Sequence, residues 1–306
     1  MWGRRAPDLR NTNLFFILKQ LLKTMRPKQW VKNLLLYSGV VFDRHLFEVR
    51  PILIATLGFI IFCGISSAVY LLNDLVDIKK DQQHPKKRFR PLASGKLPKS
   101  VAIAALIALV AVCVPAAFFL QPGFGGIVLL YFVIQVAYSF YLKNVVIIDV
   151  FTLASGFVLR AVAGALVIQV EVSPWLLVCT MLGALFIGLA KRRHELVLLA
   201  EGASSHRQIL EEYSSELVQE MISVVTSSVV IAYSLYTITY DKLPKNHLMA
   251  LTIPFVLYGI FRYLYLVYKK DEGGSPEELL FKDIPLLACV ALWGLTSIGI
   301  LYFFPA

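Results

Sequence analysis

The sequence predicts an all-α polytopic membrane protein. Nine transmembrane helices are expected around a central cavity that opens to the cytoplasmic side, with the N-terminus in and the C-terminus out. Three observations carry this. Of 306 residues, 58% are hydrophobic and only 16% charged. With a mean hydropathy of +0.68, that is too apolar for a soluble domain of this length. Apolar runs of about 18 residues or more, long enough to span a bilayer, recur along the chain. Once those runs are drawn as helices, the lysines and arginines fall on one side.

The chain opens with a basic amphipathic segment, 1–30, "MWGRRAPDLRNTNLFFILKQLLKTMRPKQW". It lacks the apolar core and small-residue site of a cleavable signal peptide. A transmembrane domain, 31–306, follows. Its spans are expected at 31–47, 52–75, 100–120, 123–142, 146–168, 174–191, 218–239, 247–268 and 284–304. The first is the weakest, because Asp43, Arg44 and His45 cut it short. Two cytoplasmic loops stand out, 75–99 and 191–217, and each begins with charges that continue a helix.

With the N-terminus inside, the inner segments carry 24 lysines and arginines and the outer segments four. Arg160 and Arg262 fall within spans. One missed span would scramble this asymmetry. The net charge of +10 then reflects topology and attraction to anionic lipid, and nucleic acid is not an expected partner. Cys63, Cys113, Cys179 and Cys289 all lie in apolar runs without metal-ligand spacing and read as small core residues.

The chemistry concentrates in "NDLVDIKKDQQHPKKRFRPLASG", Asn73 to Gly95. If the second helix continues to Asp81, then Asn73, Asp74, Asp77 and Asp81 share an arc of about 100°. Such an oxygen stripe suits magnesium, which takes a few carboxylates together with substrate phosphates. The bases that follow, among them Lys86, Arg88 and Arg90, suit phosphate oxygens. Acids beside bases match a magnesium–diphosphate group. Pro91 and Gly95 turn the chain back.

Three further features are candidates. In "AKRRHEL", Lys191, Arg192 and Glu195 share one face of the sixth helix, with Arg193 opposite. Asp149 and Arg160 project from nearly the same face, about 16 Å apart along the axis. Arg160 is an intramembrane charge, which faces a polar cavity or a partner. Lys28 and Lys32 are cations near the inner face, where lipid headgroups are the plainest partners.

These motifs resemble the UbiA superfamily of intramembrane prenyltransferases. "NDLVDIKKD" fits its N-D-x-x-D-x-x-x-D signature and "RFRPLASG" its R-P-L-x-S-G element. The likeness covers essentially the whole chain. One departure matters: there is no aspartate between Asp149 and Asp241, where typical aromatic prenyltransferases of the family carry a second aspartate-rich motif. That departure, with "RPKQWVKNLL", "DVFTLASGFVLRAVAG" and "AKRRHEL", resembles the decaprenyl-phosphate phosphoribosyltransferase branch. Some members also carry a Y-x-x-x-K element; here Tyr138 and Lys143 stand one residue further apart.

The resemblance implies magnesium-dependent transfer of 5-phosphoribose from phosphoribosyl diphosphate to a polyprenyl phosphate. Asp74, Asp77 and Asp81 would be catalytic, with Asn73, Asp77 and Asp81 on the metal. Lys28, Lys86, Arg88, Arg90, Tyr138, Lys143, Asp149, Arg160, Lys191, Arg192 and Glu195 would bind substrate. The expected location is the cell (inner) membrane with the site facing the cytoplasm, in contact with membrane lipid; a homo-oligomer is left open. The runner-up is prenyl transfer from a prenyl diphosphate to an aromatic or glycerol-phosphate acceptor. A transporter would place its ionisable groups near the midplane, whereas here only Arg160 is deep.

Overall fold

In the computed structural model, the described residues are 14–200, 208–270, 274 and 276–304. The first 13 residues of the expected N-terminal segment and 201–207 of the second loop lie outside them. The described residues are helical, without strands. Helix α1 (Leu14–Met25) is amphipathic. Ile17, Leu21 and Met25 pack on the core, while Leu14, Phe15, Leu18 and Leu22 are exposed.

Among the described residues, eight helices are long and apolar enough to cross a membrane, where nine were expected. They are α3 (Val49–Val76), α5 (Lys99–Leu120), α6 (Pro122–Phe140), α7 (Ile148–Val167), α8 (Pro174–Ala200), α9 (Ser215–Thr239), α10 (Ile253–Lys269, extended at its start by a 3₁₀ turn) and α12 (Ile284–Phe303). Short helices complete the set: α2 (Ser38–Phe42), α4 (Ile78–Gln83) and α11 (Pro276–Lys282).

The first expected span, 31–47, is not one helix. A 3₁₀ run over Pro27–Tyr37 leads into α2. So long a 3₁₀ run is uncommon and needs outside support. The run packs antiparallel along α3, and α3 supplies that support. Trp30 donates to Ser67 Oγ at 3.1 Å, Asn33 to Ser66 Oγ at 3.2 Å, and Tyr37 shares a hydrogen bond with Thr56 at 3.0 Å. A 3₁₀ helix rises about 2.0 Å per residue against about 1.5 Å for an α-helix, so 27–42 covers about 30 Å. That matches the thickness of a bilayer core with fewer residues than a regular helix needs.

Helix α7 is the central post: 61% of its apolar window is buried, against 11% for α5 on the rim. Its buried face is small, with Ala154, Gly156, Ala161, Ala163, Gly164 and Ala165, and small residues let backbones approach closely. A Cβ on Gly164 would overlap the Leu36 backbone, and one on Gly39 would sit 3.0 Å from the Gly164 carbonyl oxygen. We expect Gly164→Ala to destabilise the protein by about 1–3 kcal/mol through overpacking, read as a lowered thermal midpoint in detergent. Gly183→Ala, where a Cβ meets nothing within 4 Å, should stay near wild type. Equal midpoints for the two variants would contradict the close crossing.

Candidate active site: an ion-paired cluster at one end of the helix bundle

Helix α3 ends at Val76, and Asp77 breaks its geometry with φ −94 and ψ 10 before α4 resumes. The register survives the break. Asp77 N–H still donates to the Asn73 carbonyl at 3.0 Å, and Asp81 N–H to the Asp77 carbonyl at 2.8 Å. The stripe expected from the sequence therefore forms, but it splits into two sides.

Toward α6, Asn73 Oδ1 accepts from Ser139 Oγ at 2.6 Å, and Asp77 Oδ1 accepts from Lys143 Nζ at 2.7 Å. Lys143 lies in the 3₁₀ turn Leu142–Asn144, which links α6 to α7. On the other side, Asp74 Oδ1 takes Arg26 Nη2 at 2.5 Å and Arg90 Nη1 at 3.2 Å. Arg90 Nη1 also reaches Asp81 Oδ2 at 2.7 Å. Asp74 and Asp81 are 3% and 4% exposed, so their charges need these partners. Arg26 has a left-handed backbone at the joint between α1 and the 3₁₀ run, with φ 54, and its guanidinium stacks on Tyr70.

The loop after α4 is pinned from below. Leu92, Ala93 and Leu97 are buried, and Gly95 has φ +75, a conformation that favours glycine. Lys86 and Arg88 are exposed, with Arg88 lying over Phe89. His84 Nδ1 accepts from the backbone N–H groups of Lys86 and Lys87, at 3.1 and 3.3 Å.

A second cluster lies at the same end. Asp149, at 0% exposure, accepts from Arg192 Nε at 2.8 Å and from the Tyr213 hydroxyl at 2.7 Å. Arg192, only 1% exposed, also pairs with Glu195. The Tyr213 oxygen accepts from the N–H of Ile147, which has φ 69. Burial and the Asp149 hydrogen bond push the Tyr213 phenol pKa up. Arg193 faces away, as expected, onto the Val267 carbonyl and the Tyr268 ring. The 3₁₀ turn Gln208–Glu212 touches the Lys143 turn, so the α6–α7 link joins the two clusters.

Other candidates lie apart. Asp149 pairs with Arg192, while Arg160, on the same helix, is deep in the bundle. Arg160 donates to Asn33 Oδ1 at 2.8 Å, the Gly156 carbonyl at 2.6 Å and the Tyr131 hydroxyl at 2.9 Å. These three partners are neutral, and Phe62 and Phe157 supply ring faces. Tyr138 is buried near the C-terminal end of α6, Lys191 is half-buried and Lys28 is exposed. At the opposite end, a cavity of about 270 Å³ is lined by Phe42, Trp175, Tyr233, Tyr236 and Trp293, with Asp43 and Glu171.

The sequence reading missed Arg26, Ser139, Tyr131 and Tyr213. Arg26 carries one local signal, a cation immediately before a helix-stopping proline, in the stretch that also holds Lys28 and Lys32.

The donor set of the stripe is all oxygen, which suits a hard cation. Among the described residues, no three acidic, histidine or cysteine side chains converge to hold a metal ion. The protein therefore offers one or two carboxylates, the share magnesium takes when substrate phosphates complete its shell. On that chemistry the residues fit magnesium.

Burial, then the charge of Lys87, lower the His84 pKa from its ordinary 6.5. A lowered histidine contributes stability above the unfolded value and loses it as pH falls through the folded value. Protonation of Nδ1 breaks both loop hydrogen bonds. We expect amide exchange at Lys86 and Lys87, corrected for intrinsic rate, to speed up between about pH 7.5 and about pH 5. His84→Asn, which keeps an acceptor without titrating, should flatten the dependence. Equal protection of the wild type at both pH values would contradict this role.

The model of the UbiA prenyltransferase family matches residues 34–282. A decaprenyl-phosphate phosphoribosyltransferase of Corynebacterium glutamicum is 32% identical over 294 residues, covering 93% of this chain and 87% of that protein. The Mycobacterium tuberculosis protein of the same name is 31% identical, covering 91% and 93%. In fold, the chain is similar to a UbiA homologue from Archaeoglobus fulgidus bound to GPP and Mg2+. That likeness has a TM-score of 0.70 at 18% identity, over 92% of this chain and 99% of that one. The family match, the length of the relatives' match and the shared fold agree: the chain belongs to the UbiA prenyltransferase family.

Proposed function

We propose that this protein transfers 5-phosphoribose from 5-phosphoribosyl 1-diphosphate to a polyprenyl phosphate, with decaprenyl phosphate as the acceptor its relatives' names suggest, releasing pyrophosphate. The observation that carries the reading is the pairing of the Asn73–Asp81 oxygen stripe with Arg26, Arg90 and Lys143 at the inner helix ends. It stands in a chain whose phosphoribosyltransferase relatives match over most of their length. The stretch after α8, which has no aspartate up to Asp241, supports a sugar diphosphate over a prenyl diphosphate as donor.

Asn73, Asp77 and Asp81, with Asp74 beside them, would hold magnesium, which when bound neutralises charge on the leaving diphosphate. Lys86, Arg88 and Arg90 bind its oxygens. The bond between the anomeric carbon and the diphosphate oxygen breaks. A phosphate oxygen of the lipid forms the new bond to that carbon. No general base is needed, because a lipid phosphate is already anionic at neutral pH. Catalysis is then positioning and charge stabilisation. Lys28, Arg160, Lys191 and Arg192 are the cations for the 5-phosphate and the lipid phosphate. Tyr138 and Lys143 line the inner mouth, and Asp149 and Glu195 orient Arg192. The antiparallel course of 27–42 beside α3 supports a ninth crossing beside the eight helices. With the charge asymmetry, that supports N-in, C-out topology and a cytoplasmic site in the cell membrane.

The test uses purified protein with magnesium. One tube holds labelled phosphoribosyl diphosphate and polyprenyl phosphate; a second holds prenyl diphosphate and an aromatic acid. Labelled lipid is expected in the first alone, and product only in the second would favour prenyl transfer. Asp77→Asn and Asp81→Asn should each lower turnover on the order of a hundredfold, the effect of losing one charge-stabilising group, with the thermal midpoint kept. Near-wild-type turnover in both would remove the metal role.

A further inference from the structure

Each carboxylate of the stripe is already engaged by a cation from elsewhere in the chain. Arg26 comes from the α1 joint, Arg90 from the loop after α4, and Lys143 from the α6–α7 link. Their nearest contacts are 2.5 Å to Asp74, 2.7 Å to Asp81 and 2.7 Å to Asp77. Three acids thus meet three bases, and the set is neutral. The pairs use Oδ1 of Asp74 and Asp77 and Oδ2 of Asp81, so a divalent cation at these carboxylates either displaces a guanidinium or ammonium group or sits beside it, and in both cases it meets a like charge close by. A diphosphate alone has the converse problem, because it draws the bases away and faces bare carboxylates. When both arrive, the metal takes carboxylate oxygens and the freed bases take phosphate oxygens. The absence of a three-acid cage among the described residues adds a second reason why metal alone binds poorly.

We propose that Arg26, Arg90 and Lys143 are exchangeable counterions, so that the site takes its divalent cation and its diphosphate together and each only weakly alone. This rests on the diphosphate reading of the site given above. Linkage requires the effect to be reciprocal: the metal tightens diphosphate by the same factor as diphosphate tightens the metal. Couplings of this kind run from about fivefold to about 150-fold.

The test uses the full chain in detergent. Mn2+ binding is followed by its electron paramagnetic resonance signal, alone and with inorganic pyrophosphate, with the solution Mn2+–pyrophosphate complex subtracted. Binding of labelled pyrophosphate is measured by equilibrium dialysis with and without Mg2+. The wild type should show weak Mn2+ binding alone, at least about tenfold tighter with pyrophosphate, and a matching gain for pyrophosphate with Mg2+. Lys143→Gln and Arg90→Gln each remove one displaced cation, so Mn2+ alone should bind about tenfold tighter than to wild type and the coupling should shrink. Wild-type protein that binds Mn2+ equally well with and without pyrophosphate would overturn the proposal, whatever the variants do. Pyrophosphate that binds in no arm would overturn the diphosphate reading itself and this inference with it, a result distinct from binding without coupling.

Discussion

Asp74 is buried at the C-terminal end of α3, and two guanidiniums hold it. A carboxylate so placed has lost most of its water, and leaving it unpaired would be costly. Arg26 and Arg90 supply the charge, and in doing so they fix two separate pieces of chain. Arg26 anchors the joint where α1 meets the 3₁₀ run. Arg90 draws the loop after α4 back over the helix end and gathers Asp81 into the same set. The shape of this end of the bundle follows from satisfying this one residue.

A second constraint runs through α7. Its small buried face allows the broken first segment to lie against it, and Arg160 ties that contact together across three elements. One guanidinium bonds to Asn33 on the 3₁₀ run, Tyr131 on α6 and the Gly156 carbonyl on α7 itself. Asn33 in turn donates to α3. The deep charge therefore sits at the node where the broken segment meets three helices. Between that node and the C-terminal end of α3 lie the two acidic clusters, linked through the Lys143 turn.

Much of this was legible in the sequence because its signals are periodic. Hydropathy runs mark eight helices, and the spacing of Asn73, Asp74, Asp77 and Asp81 marks a stripe that survives the break at Asp77. Side-chain pairing across the fold left no such trace. Arg26 stands 48 residues before Asp74, and nothing local ties the two together. Asp149 and Arg160 both lie on α7, but Asp149 takes its partner from α8. The first span was legible as apolar and illegible as 3₁₀. Its backbone form depends on hydrogen bonds from Trp30, Asn33 and Tyr37 to α3, a helix that follows it in the chain.

That 3₁₀ run also acts as a measuring length. Winding its eleven residues into an α-helix would shorten the segment by about 5 Å, at about 0.5 Å per residue. Arg26, at its N-terminal end, would then be drawn a full helical turn away from Asp74. The extended form is held by rungs to α3, so the reach of the first cation into the site is set by a strap pulled taut between Gly39 and Arg26.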